Sequence, residues 1–381
     1  MRILFASWPG YGHLLPMVPL VRAAQRGGHD VVVSSGSDLS AVIGRLGVVV
    51  HESGVTAAES YARMPGRTTI SRLPPEEQPG FAARHLFGAG AVDRARDLLD
   101  LVETWRPDLV VHDTLELGAP VAAEMHGIPH VTHGYGPMLP ENRYLVAAVG
   151  STIATAGLPD PVPAVFAAPY LDICPPGLPP VRSDPWSLVR PMRPSAGEVD
   201  PDATLPSELG ALPHAASVYF TLGTVMNQAP TIFRAVIESC ARLPVNAIVT
   251  TGPDFDSSLL GPVHPAVLTA PFLPQASLLP HCTAVVSHAG AGTMLGALCH
   301  GLPQLCLPQG TDQPLNAAAL VPTGAALCLQ PEEVTADAVT DALSRLLGEP
   351  PFRQAAHRLR DEIDRMPDAD AVLDRILADP A

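Results

Sequence analysis

A histidine set in a run of small residues, Ser287-His288-Ala289-Gly290-Ala291-Gly292-Thr293, directly follows the apolar stretch Ala284-Val285-Val286. Glycines at 290 and 292 let backbone N–H groups approach a ligand. A helix starting near Thr293 adds its positive end, so the pattern reads as an anion site. His288, at the strand end, supplies a donor for a phosphate oxygen. A tight strand-to-helix turn with a capping threonine uses the same residues. Two neighbours favour a ligand: Pro271-Phe272-Leu273-Pro274-Gln275 upstream and Gln309-Gly310-Thr311-Asp312-Gln313 downstream. Both lie near strand ends, where open α/β sheets bind ligands. Far upstream, His13 follows the apolar run Arg2–Ala6 and the turn Pro9-Gly10-Tyr11-Gly12. An imidazole, with an ordinary pKa of about 6.5, suits proton removal near neutral pH.

These residues need strands and helices to place them. Arg2–Ala6 reads as a strand, Leu15–Ala24 has helical spacing ended by Gly27-Gly28, and Asp30–Val33 is a second strand. Leu109–Val111, a helix over Leu117–Met125 and a strand at His130–Thr132 continue the alternation. The second half repeats the plan. It has strands at Ser217–Leu222, Ala247–Thr250, Ala284–Val286 and Gln304–Leu307, with a helix over Thr231–Arg242. Continuous apolar strands between amphipathic helices imply parallel sheets covered on both faces. The Pro-rich stretch Pro161–Pro213 reads as the interdomain connection, with a hinge expected within Arg190–Pro213. Thr56–Phe81 reads as irregular loops, and Phe352–Leu377 as charged and helical. The expected organisation is α/β. A first doubly wound domain spans 1–195, a linker 196–215 and a second domain 216–365. A C-terminal helix, 366–381, packs back toward the first domain. The expected ligand site is the cleft between domains, closing on substrates.

Composition narrows the class. The 381 residues are 47% hydrophobic and 16% charged, enough apolar material for two cores. A net charge of −15 disfavours a polyphosphate partner, so no nucleic acid is expected. All 23 basic residues are Arg, which excludes a Schiff-base lysine and a Walker-type phosphate lysine. The six cysteines, Cys174, Cys240, Cys282, Cys299, Cys306 and Cys328, form no C-x-x-C and read as buried thiols in a reducing cytoplasm. No apolar run reaches the ~20 residues of a membrane helix, and no signal segment is expected.

Phe272 to Gln313 resembles the donor-binding signature of GT-B, family-one, nucleotide-sugar-dependent glycosyltransferases. The matching pieces are Phe272-Leu273-Pro274-Gln275, His288-Ala289-Gly290-Ala291-Gly292-Thr293 and Asp312-Gln313. Tyr219–Thr224 resembles the first strand and turn of the family's second domain, and Gly12-His13-Leu14-Leu15-Pro16 its Gly-His-x-x-Pro opening. The similarity covers the whole chain and is nearest to bacterial natural-product glycosyltransferases.

The resemblance implies a division of roles. Phe272 would lie against the nucleotide base while the Leu273 backbone bonds its edge, with Gln275 completing the motif. His288 and the backbone of Gly290, Gly292 and Thr293 would hold the diphosphate, assisted by the Gly223-Thr224 turn. Asp312 and Gln313 would bond sugar hydroxyls. His13 would be the general base, oriented by Asp113, in an inverting, metal-independent transfer to a hydroxyl. The acceptor pocket is expected in Thr56–Gly90 and His133–Arg143, with Gly12, Phe81, Tyr135 and Met138 as contacts. The implied co-substrate is a dTDP- or UDP-sugar, with no separate cofactor. The implied acceptor is a hydrophobic, polyketide-like aglycone, and the protein a cytoplasmic monomer or homodimer. Ser287 departs from relatives that carry two consecutive histidines.

Other readings draw on single features. Gly10-Tyr11-Gly12 lacks the third glycine of a dinucleotide fingerprint, since Leu15 stands there, and Ser34-Ser35 replaces the acidic ribose ligand. Asp254-Phe255-Asp256 has the D-x-D form of metal-dependent transferases but reads as a solvated loop. The intact His13 and donor motif argue against a non-catalytic auxiliary partner. Carbon or nitrogen acceptors stay open alternatives to oxygen.

Overall fold

The computed structural model describes residues 1–65, 78–138, 142–178, 186–197, 204–223, 229–253, 255–261 and 263–379. The chain divides into two compact units. One comprises Met1–Ile173, Pro180–Met192 and Pro367–Ala381; the other comprises Cys174–Pro179 and Arg193–Met366.

The first unit holds a seven-stranded sheet of β1 (Arg2–Ala6), β2 (Asp30–Ser35), β3 (Val49–Glu52), β4 (Leu109–Asp113), β5 (His130–His133), β6 (Tyr170–Asp172) and β7 (Val189–Pro191). Its order is β3-β2-β1-β4-β5-β6-β7. The second unit holds six strands: β8 (Ala216–Thr221), β9 (Val245–Thr250), β10 (Val267–Ala270), β11 (Ala284–Ser287), β12 (Gln304–Cys306) and β13 (Ala326–Cys328). Their order is β10-β9-β8-β11-β12-β13. Every strand pairing is parallel, and each sheet reverses direction beside its first strand. That reversal is the switch point of a doubly wound fold, where ligands bind beyond the carboxyl ends of the strands. β4 and β9 are buried along their whole length, including His112 and Asp113 in β4 and Asn246 in β9.

The structure corrects two local expectations and refines a third. The described residues of 161–192 are not all connection. They include the helix Val162–Ala167 and the strands β6 and β7. The strands are three residues long, and Pro191 ends the edge strand, where a missing N–H costs no ladder bond. Thr56–Phe81 is partly helical: Thr56 and Glu59 form a reciprocal capping box on the helix Ala57–Ala62. Residues 66–77 of that stretch lie outside the described residues. The charged stretch Phe352–Leu377 is two helices, Pro350–Arg365 and Ala369–Ala378. Pro367 breaks it, and Asp368 caps the second helix by accepting from Ala371 N–H at 2.9 Å.

The helix Ala369–Ala378 packs on the helix Val18–Arg26 within the first unit. Arg26 pairs with Asp370, and Arg190 donates to the Asp379 carbonyl at 2.9 Å. Among the described residues no helix is long and apolar enough to cross a membrane.

Candidate active site

In the first unit β1 delivers the chain into the short helix Tyr11–Leu14, which carries His13. β4, hydrogen-bonded beside β1, ends at Asp113. The adjacency of these strands therefore brings together residues 100 positions apart: His13 Nδ1 lies 3.0 Å from Asp113 Oδ1. The Nδ1–H donates to the carboxylate, which leaves Nε2 as the basic nitrogen. Asp113 is fully buried and also accepts from the backbone N–H of Trp8 and, at 2.8 Å, of Leu115. Burial alone would raise its carboxyl, but His13 and these donors outweigh burial and hold it below the ordinary carboxylate value.

Aromatic rings wall the imidazole. The ring centroids of Tyr135, Trp8 and Phe87 lie 4.6, 5.1 and 6.0 Å from that of His13. Tyr61 meets the edge of Trp8 at 6.2 Å. A Cβ on Gly10 would sit 2.6 Å from the Trp8 ring, so a glycine there lets the indole fold against His13. Behind Asp113 lies a buried ion pair. Arg94 Nε, from the helix Ala89–Trp105, is 2.7 Å from Glu116 Oε1. Glu116 accepts from the N–H groups of Gly118 (3.1 Å) and Ala119 (2.8 Å), and its own N–H donates to the Asp113 carbonyl at 3.1 Å. The segment that follows Asp113 is thereby fixed from both sides.

Of the expected acceptor contacts, Tyr135 stands against His13. Gly12 is exposed, and a Cβ there would meet nothing within 4 Å. Phe81 packs on His85, ring to ring at 4.2 Å, and Met138 is buried in the unit's core. Sequence reasoning missed Trp8, Phe87, Gly10 and the Arg94–Glu116 pair. An aromatic residue just after the first strand was the available signal for Trp8.

In the second unit the expected donor residues follow the carboxyl ends of β8, β11 and β12, with Phe272, Leu273 and Gln275 after the edge strand β10. The His288 ring fits between two glycines: a Cβ on Gly223 would lie 2.7 Å from it, and one on Gly290 would collide with Nε2. These glycines thus make room for an imidazole, in addition to the backbone approach expected at 290. Burial lowers the His288 pKa against the pull of Asp312 and so favours the neutral imidazole. The helix begins at Ala291 with Gly290 as its N-cap, two residues earlier than expected. Space over Gly292 is open. Thr293 Oγ1 donates to Gln275 Oε1 at 3.1 Å, tying two motif residues together. Phe272 is 73% exposed, whereas Leu273 is anchored in the core. Ser287, the departure from the paired-histidine pattern, accepts from Ala289 N–H at 3.1 Å.

Asp312 stands at the N-cap position of the helix Gln313–Leu320, its side chain accepting from Asn316 and Thr311 rather than capping the helix. Gln313 is buried, and its Oε1 accepts from the N–H groups of Gln309 (2.7 Å) and Gly310 (3.2 Å). Its carbonyl oxygen is therefore engaged in shaping the loop before Asp312. Thr224 and Asp254 lie outside the described residues. Asp256 accepts from Ser258 N–H at 2.9 Å, a local turn contact. Among the described residues no group of three His, Cys, Asp or Glu could hold a metal.

Comparison with known proteins gives these sites a context. Family models described as erythromycin biosynthesis protein CIII-like match residues 82–164 (N-terminal domain) and 234–378 (C-terminal domain). The L-demethylnoviosyl transferase of Streptomyces niveus is 33% identical over 393 residues, covering 100% of this chain and 98% of that protein. Elloramycin glycosyltransferase ElmGT of Streptomyces olivaceus is 30% identical, covering 96% and 94%. The solved structure of spinosyn rhamnosyltransferase SpnG complexed with thymidine diphosphate matches with a TM-score of 0.80 at 25% identity, covering 100% of both chains. With two doubly wound parallel sheets, a full-length relative at 33% identity and matches to both family domains, the chain belongs to the CIII-like, family-one glycosyltransferases of GT-B fold and is a glycosyltransferase.

Proposed function

We propose that the enzyme transfers a sugar, with inversion and without a metal, from a thymidine diphosphate sugar to a hydroxyl of a hydrophobic natural-product aglycone. The observation that carries this reading is the His13–Asp113 pair, 3.0 Å apart and walled by aromatic rings. His13 Nε2 takes the proton of the acceptor hydroxyl as that oxygen attacks the anomeric carbon. Asp113, ionised, holds the Nδ1–H tautomer and stabilises the imidazolium that forms. The bond from the anomeric carbon to the diphosphate breaks as the new glycosidic bond forms, and the diphosphate leaves with the electron pair. Negative charge grows on that group, where neutral His288 can donate and the first N–H groups of the helix Ala291–Cys299 are available. Asp312 receives sugar hydroxyls, and exposed Phe272 offers its ring to the base. The aromatic wall of His13 suits a flat apolar acceptor. A thymidine diphosphate donor is favoured over UDP because SpnG, alike in fold and length, was solved with thymidine diphosphate.

Thermal melting in EDTA tests the donor assignment. Thymidine diphosphate at ~100 times its Kd should stabilise the protein by ~2.7 kcal/mol, and NAD should not. Absence of a shift with both thymidine diphosphate and UDP would overturn it.

A further inference from the structure

Asn316 lies outside the motif residues, yet its side chain joins the two loops assigned to the donor. It is 1% exposed, on the helix Gln313–Leu320. Its Nδ2 donates to the Ala289 carbonyl at 3.0 Å and to Asp312 Oδ2 at 2.8 Å. Both loops are strained. Ala289, between His288 and Gly290, has φ 62°, and Thr311, beside Asp312, has φ 56°. Among the described residues one other non-glycine residue has positive φ, Arg106, which ends a helix in the first unit. The left-handed conformation is unfavourable for a residue with a Cβ and persists only where surrounding contacts enforce it. Here those contacts form one chain: Ser287 Oγ to Ala289 N–H (3.1 Å), the Ala289 carbonyl to Asn316, Asn316 to Asp312, and Asp312 Oδ1 to Thr311 Oγ1 (3.0 Å).

We infer that Asn316 is a positioning residue that couples diphosphate binding to sugar recognition, resting on the donor-site reading above. One N–H holds the strained turn that presents His288 and the helix N-terminus. The other holds the Asp312 carboxylate in a single orientation toward the sugar. An asparagine suits both duties because it offers two donors to two acceptors and carries no charge. Alanine leaves a carbonyl and a carboxylate without that donor, and aspartate sets a second carboxylate against them.

Calorimetric titration separates the two duties. Thymidine diphosphate reads the turn. The extra affinity of the tighter of TDP-glucose and TDP-rhamnose over thymidine diphosphate reads Asp312. Asn316→Ala should weaken thymidine diphosphate about tenfold, the scale of the one neutral hydrogen bond lost at the Ala289 carbonyl, and abolish the extra affinity of the sugar. Ala289→Gly added to Asn316→Ala should restore thymidine diphosphate binding, because glycine adopts this φ without strain, but should not restore the sugar increment. Asn316→Asp keeps the shape and replaces the alanine variant if that variant melts too low to titrate; it should lose the increment likewise. Three results would overturn the inference: wild-type affinities in Asn316→Ala, failure of Ala289→Gly to rescue, or a wild type in which neither sugar adds affinity. A wild type that binds neither thymidine diphosphate nor UDP refutes the donor-site reading itself.

Discussion

The two candidate sites are built by opposite means. Around His13 the structure is made of side chains in fixed contact: a buried carboxylate with three donors, aromatic rings on the imidazole and a buried Arg94–Glu116 pair behind them. At the carboxyl ends of the second sheet it is made of backbone: glycines that open space, two left-handed non-glycine residues and a helix start, with the Phe272 ring in solvent. Moving a proton requires a base held in one place and one tautomer. Holding a diphosphate requires N–H groups that converge, which strained, side-chain-poor loops supply.

Removing the base should separate the sites most sharply. His13→Ala is expected to lower kcat by roughly 10²–10⁴ while leaving the Kd for thymidine diphosphate unchanged. Comparable turnover by the variant would remove His13 from the mechanism.

Next in size is the support behind it. Arg94→Met leaves the Glu116 carboxylate buried without its partner, and denaturant titration should show a loss of about 3–5 kcal/mol. Replacing Glu116 by leucine as well should recover much of that. A loss below about 1 kcal/mol in the single variant would mean the pair does not carry the first unit.

The second site should respond in affinity before stability. Gly290→Ala drives a Cβ into His288, so thymidine diphosphate should bind about tenfold more weakly with the melting temperature little changed. Equal affinity would show that the imidazole can move aside without loss.

The smallest effect is a slope. Burial pushes His112 down to about 3 and His133 down to about 4, both in the first unit. Protonation then favours the unfolded chain, where these groups titrate near pH ~6.5. Stability should be full above that pH and fall as the medium is acidified toward 4. Urea titrations should show His112→Asn with a shallower decline, by about 1 kcal/mol per pH unit. An unchanged slope would mean that His112 is not neutral in the fold.

The same contrast explains what could be read from the sequence. The backbone-built site is local in the chain, so its glycines, histidine and Asp312-Gln313 stand as a motif from 272 to 313. Even there Asn316 escaped notice, although its place four residues after Asp312 is the helical spacing at which side chains meet. The side-chain-built site draws on residues 8, 13, 87, 94, 113, 116 and 135, joined only by strand order. His13 and Asp113 were named through a resemblance; Trp8, Phe87 and Arg94 had no local pattern to mark them. Longer strands such as β1 and β9 were evident, as was β12 within the run Gln304–Leu307, whereas β6, β7 and β13 carry three residues each, too few for a period to show.

The helix Ala369–Ala378 gives the first unit a peculiar birth order. Its sheet opens at residue 2, yet the helix that covers Val18–Arg26 and the Asp379 group that receives Arg190 are synthesised after the whole second unit. A ribosome therefore releases the whole second unit while the first still waits for its closing piece. Anyone exchanging first units between such enzymes by a single cut near residue 192 would leave that piece behind. A faithful exchange needs two junctions, the second at the turn around Pro367.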